Sequence, residues 1–94
     1  MTRELSRPKI VDRLAYKTIG QETIILDTKI NQQVHQLNEL GSFIWNLCEG
    51  EHEVQDIIEK VCLEFDVEND VASRDVHEFL DELKQKNLLV DYSS

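Results

Sequence analysis

A chain of 94 residues with a formal net charge of −9 and 40% hydrophobic residues is one small domain, able to bury roughly 60–65% of the surface its unfolded form exposes. Residues 1–13 balance at +2, residues 14–37 at zero and residues 38–94 at −11. So acidic a C-terminal half would repel a phosphate backbone, because non-specific nucleic-acid affinity rests on Lys and Arg displacing counterions.

Met1 to Ser6 reads as a mobile start and Arg7-Pro8-Lys9 as an extended segment, since Pro8 biases Arg7 away from helix. Residues 1–13 are thus expected to form an N-terminal arm, anchored on a sheet by Ile10 and Val11. Leu14 to Ile19 is rich in β-branched and aromatic residues, and Gly20-Gln21-Glu22 interrupts it as a turn. Thr23 to Leu26 is the clearest strand, followed by a turn over Asp27 to Asn31, with Asn31 tolerant of a left-handed backbone. The third strand, Gln32 to Leu37, is polar and only weakly alternating, as suits a strand at a sheet edge.

At Asn38 the period changes from strand to helix. Asn38 can cap through its side-chain oxygen, and Leu40, Phe43, Ile44 and Leu47 recur at i, i+3, i+4 and i+7. Trp45 lies about 100° round from Ile44 and is expected to flank the core against another helix. Gly41 inside the first turn costs roughly 1 kcal/mol relative to alanine, which implies close approach of another backbone. Glu49-Gly50-Glu51 closes this helix, with Gly50 suited to a left-handed position. Glu53 to Phe65 forms a second amphipathic helix with Val54, Ile57, Ile58, Val61 and Phe65 on one face, and His52 before it is a mediocre N-cap. Asn69 or Asp70 can cap a third helix that runs to about Lys86 and buries Ala72, Val76, Phe79, Leu80 and Leu83. Asn87 supplies its left-handed end, Leu88 to Val90 lies back on the core, and residues 91–94 fray. Three short strands followed by three helices make an α+β domain over residues 14–90.

Chemistry-bearing motifs are sparse. His35, His52 and His77 form no H-x-x-x-H pair, and Cys48 and Cys62 have neither zinc-site spacing nor the density of a disulfide scaffold; both read as reduced core residues of a cytoplasmic protein. No apolar run reaches signal-peptide length or the ~20 residues of a membrane span. The three glycines are isolated, no serine has a sequence-local base, and most carboxylates fall on helix faces expected to be solvated. Neither catalysis nor a cofactor or metal is expected.

Two runs carry a resemblance. Gln36-Leu37-Asn38-Glu39-Leu40-Gly41-Ser42-Phe43-Ile44-Trp45, followed by Gly50, and later Asp75-Val76-His77-Glu78-Phe79-Leu80-Asp81-Glu82-Leu83 with Leu88-Leu89 make the chain resemble the PqqD-like family over roughly residues 14 to 90. These are the recognition elements that bind precursor peptides in the biosynthesis of ribosomally synthesised, post-translationally modified peptides. The resemblance implies a winged helix-turn-helix-like fold, a three-stranded antiparallel sheet followed by three helices, without catalysis. It further implies that the leader region of a precursor peptide adds as a strand to the third strand, beside the last helix, and is presented to a radical-SAM protein, a leader protease or another maturase. Carried over by position, the peptide-binding residues are Gln33, Val34, His35, Gln36 and Leu37 on the edge and Asp75, Phe79 and Glu82 on the helix. Asn87 and His52 depart from the family pattern, which usually has glycine and a capping Thr or Ser at these places.

Backbone pairing alone gives little sequence choice, so specificity is expected from apolar anchors near Val34, Leu37 and Phe79, with acidic rim residues selecting basic leader positions. One alternative is a protein-protein adaptor or self-pairing module using the same edge. The other, a winged-helix DNA-binding regulator, would need a basic recognition helix, whereas the last helix has Arg74, Lys84 and Lys86 against five acidic residues from Asp70 to Glu82.

Overall fold

The computed structural model describes residues 7–12, 14–27 and 33–91. The expectations for Met1 to Ser6, for Asn31 in its turn, for Gln32 and for residues 92–94 lie outside these. In chain order the elements are β1 (Pro8–Ile10), β2 (Ala15–Ile19), β3 (Glu22–Asp27), β4 (Gln33–Leu37), α1 (Glu39–Asn46), α2 (Val54–Phe65), α3 (Asn69–Gln85) and β5 (Leu89–Asp91).

The three strands expected from the sequence form one antiparallel sheet in the order β2-β3-β4. β3 alternates strictly, with Thr23, Ile25 and Asp27 buried and Ile24 and Leu26 exposed, so one sheet face meets the helices and the other meets solvent. A second sheet, β1 paired with β5, joins Pro8 to Asp91, Lys9 to Val90 and Ile10 to Leu89. Pro8–Ile10 is an integral strand, and Asp91, expected to fray, closes its partner and accepts from the Arg7 N–H through Oδ1 at 3.1 Å. β1 also ties down the end of the first helix, since Ile10 N–H donates to the Cys48 carbonyl and Gly50 N–H to the Pro8 carbonyl, each at 3.0 Å.

Asn38 caps α1 as its sequence implies, its Oδ1 accepting from the Gly41 N–H at 2.9 Å. The buried face of α1 differs from the expected stripe. Gly41, Ser42, Ile44 and Trp45 are buried, while Leu40, Phe43 and Leu47 are only partly so. The reason is that α1 is enclosed on several sides. Ser42 hydrogen-bonds the Thr23 hydroxyl on the sheet, Trp45 meets Tyr16 of β2 edge to face at 5.3 Å between ring centroids, and Phe43 meets Phe65 of α2 at 5.4 Å. Trp45 thus meets the sheet and lies in the common core.

The N-caps of the other helices lie one or two residues from those expected. Glu53, not His52, is the N-cap of α2, where Asp56 Oδ2 reaches back to the Glu53 N–H at 3.4 Å. Glu68, not Asn69 or Asp70, is the N-cap of α3; Asp70 serves from inside the first turn, accepting the Val71 N–H at 2.9 Å. At the other end Asn87 adopts the left-handed conformation, φ 61°. Leu88 N–H then donates to the Leu83 carbonyl and Asn87 N–H to that of Lys84, both at 3.0 Å, which is the Schellman closure of a helix. The core gathers Ile25, Ile44, Trp45, Ile57, Val61, Val76, Leu83 and Leu88.

Candidate functional site

β4 is an outer strand of its sheet, and among the described residues only β3 pairs with it. Its open side therefore carries the backbone N–H and C=O groups that β3 does not use. Residues opposite one another in an antiparallel pair share a face. Leu37 lies opposite Thr23, His35 opposite Ile25 and Gln33 opposite Asp27, whereas Val34 lies opposite Leu26 and Gln36 opposite Ile24. Gln33, His35 and Leu37 consequently face the helices, and Val34 and Gln36 face out.

Where β4 ends, a groove of ≈ 400 Å³ opens between α1 and α3. One wall is Asn38, Leu40, Gly41 and Ile44; the other is Asp75, Glu78, Phe79 and Glu82. The second set recurs at i, i+3, i+4 and i+7, one continuous face of α3, adjacent to the stripe Ala72, Val76, Leu80 and Leu83 that α3 buries. The groove has an apolar floor from Leu40, Ile44 and Phe79 and a rim of three carboxylates. Asp75 has Arg74 Nε at 3.7 Å, in an exposed pair, which changes its charge balance little in water.

All three helical residues expected at the site, Asp75, Phe79 and Glu82, line this groove. Of the three residues near which apolar leader anchors are expected, Phe79 lines the groove and Val34 and Leu37 do not. Val34 is 64% exposed on the outer sheet face, and Leu37, 9% exposed, belongs to the core; the two-residue period of a strand sends them to opposite sides. Glu78 and the α1 wall were missed, although the same helical spacing that places Asp75 and Phe79 also places Glu78. A second concavity of ≈ 280 Å³ lies on the opposite flank of α1, against Gly20, Phe43 and Phe65, away from the open edge of β4. Among the described residues, no three His, Cys, Asp or Glu side chains are grouped to hold a metal ion, and no helix is long and apolar enough to cross a membrane. Cys48 and Cys62 are both free thiols.

The model of the family described as coenzyme PQQ synthesis protein D matches residues 22–89, from the first residue of β3 into β5. Two solved structures share the fold. One, TbiB1 in complex with the TbiA(beta) leader peptide, is 30% identical, covers 92% of this chain and 99% of its own, and superposes with a TM-score of 0.80. The other, lasso peptide synthetase B1 complexed with the leader peptide, is 19% identical, covers 90% and 99%, and has a TM-score of 0.78. No curated protein sequence matches the chain at a significant level.

Proposed function

The chain belongs to the PqqD family, and from that membership we propose that it is a non-catalytic, cytoplasmic peptide-binding protein. It captures the leader region of a ribosomally made precursor peptide by strand addition to β4. It then presents the bound peptide to a modifying enzyme, such as a radical-SAM protein, or to a leader protease. The observation that carries this reading is the juxtaposition of an open strand edge, Gln33–Leu37, with the groove beside its end. The edge supplies backbone hydrogen bonds in any sequence, and the groove selects side chains. An apolar leader residue fits the floor of Leu40, Ile44 and Phe79, and basic neighbours meet Asp75, Glu78 and Glu82.

Three helices packed with a three-stranded antiparallel sheet support the α+β layout on which this reading rests, and the acidic face of α3 favours a peptide over DNA. The test is a titration of the chain with the leader segment of the precursor encoded beside its own gene, followed by calorimetry and amide NMR. Saturable binding with the largest shifts along Gln33–Leu37 and on the Asp75–Glu82 face is expected; weak shifts spread over the whole chain would refute specific capture. Exposed Ile24, Leu26 and Val34 on the outer sheet face favour a second reading, self-pairing. Sedimentation velocity across a concentration series distinguishes it, because self-pairing raises the apparent mass without any peptide.

A further inference from the structure

We propose that Gly41 sets the position of the Phe79 ring and, through it, the depth of the groove, so that the missing Cβ at residue 41 is a determinant of leader affinity. The inference rests on the leader-binding reading. A Cβ built on Gly41 would lie 2.9 Å from Phe79 Cε1 and 3.3 Å from Phe79 Cζ, well inside the 3.5–4.0 Å at which carbon atoms attract. Gly41 has no conformational need to be glycine: it sits within α1 and is not among the positive-φ residues. Glycine is disfavoured inside a helix relative to alanine, so what it contributes here is space.

Phe79 occupies that space. Its ring comes from α3 and abuts the first turn of α1, and both residues line the same groove. A ring pushed off residue 41 moves into the groove and fills part of its ≈ 400 Å³. The helix itself tolerates the change, because the atoms displaced are the far end of a half-buried side chain. The capping oxygen, Asn38 Oδ1, stands at 3.3 Å from the same Cβ and needs to give by only a few tenths of an ångström. Gly41 is thus a positioning residue: it touches the ring that shapes the site.

The experiment compares the wild type, Gly41→Ala, Phe79→Leu and the double variant, using anisotropy of the labelled cognate leader and thermal unfolding. Leucine lacks the far ring atoms that conflict with a Cβ at residue 41. Gly41→Ala is expected to weaken binding about tenfold, or ~1.4 kcal/mol, with an unfolding midpoint equal to or above that of the wild type. The same substitution in the Phe79→Leu background is expected to leave affinity at the Phe79→Leu value. Unchanged binding by Gly41→Ala overturns the inference, as does an equal loss in the Phe79→Leu background. Where Gly41→Ala lowers the midpoint, recovery in the double variant assigns the loss to the same contact and supports the inference; no recovery overturns it. Failure of the wild type to bind overturns the leader reading and this inference with it, whereas equal binding by wild type and Gly41→Ala overturns the inference alone.

Discussion

Trp45 joins α1 to the sheet, and its energetics are those of a large buried ring with one unmet polar group. The side chain is fully buried against Tyr16, and among the described residues its indole N–H has no acceptor. Trp45→Ala is expected to cost ~3–5 kcal/mol from lost transfer energy and the cavity left behind. Trp45→Phe should cost clearly less, because it also removes a buried donor that lacks a partner. Urea unfolding of the two variants measures both; equal losses would show that the orphan N–H carries no penalty. Cys48 gives a second prediction at this scale. Its thiol, buried and donating to the Ile44 carbonyl at 3.3 Å, is pushed by burial from 9.0 up to about 12. The unfolded chain therefore ionises first, so the contribution of this group to stability is whole below pH 9 and falls as pH rises toward 12. One such group changes the slope by at most ~1.4 kcal/mol per pH unit. The decline in stability over that alkaline range is expected to be shallower in Cys48→Ala than in the wild type, whatever the offset between their absolute stabilities.

At the scale of elements, the proposed leader binding gives the open edge of β4 and the exposed face of α3 separable roles. Phe79→Asp places a carboxylate on the apolar floor beside Asp75, Glu78 and Glu82, and should weaken leader binding about a hundredfold, the ~3 kcal/mol scale of an interface hot spot. Val34→Asp alters the outer sheet face and leaves the β4 backbone in place; less than about a threefold change is expected, on the scale of a near-neutral contact. Calorimetry on both variants decides whether binding is read through the groove or across the sheet. The sequence made α2, α3 and the β2-β3-β4 order legible because these rest on local signals: helical spacing, turn residues and short connections. It did not reveal β1–β5, because two three-residue strands eighty residues apart leave no periodic trace. It also left the facing of Val34 open, since a polar strand offers too little alternation to fix which residues face inward. In α1 the buried positions include Gly41 and Ser42, which an apolar stripe does not count. Phe79 was legible as a candidate site residue only through the family resemblance, since its periodicity alone places it in the core.

Across the whole molecule, charge is segregated along the fold. The stretch containing β2, β3 and β4 is neutral, and the helical part carries the entire excess of a chain whose net charge is −9. The groove lies between two helices of that acidic part, with Asp75, Glu78 and Glu82 at its rim. A leader with basic positions is drawn toward this face before any contact forms, so the effect belongs chiefly to the association rate. Screening shortens from about 30 Å at 0.01 M salt to about 8 Å at 0.15 M. Over that range the association rate constant is expected to fall about tenfold, the lower end of electrostatic steering, while the dissociation rate changes little because strand pairing and the apolar floor are short-ranged. Replacing the rim with Asp75→Asn, Glu78→Gln and Glu82→Gln should flatten this dependence and leave the unfolding midpoint within a few degrees, because exposed carboxylates contribute little to stability. Stopped-flow measurements of both chains at the two salt concentrations test it. A salt-independent association rate in the wild type would remove the acidic rim from the recognition mechanism and leave selection to the apolar floor alone.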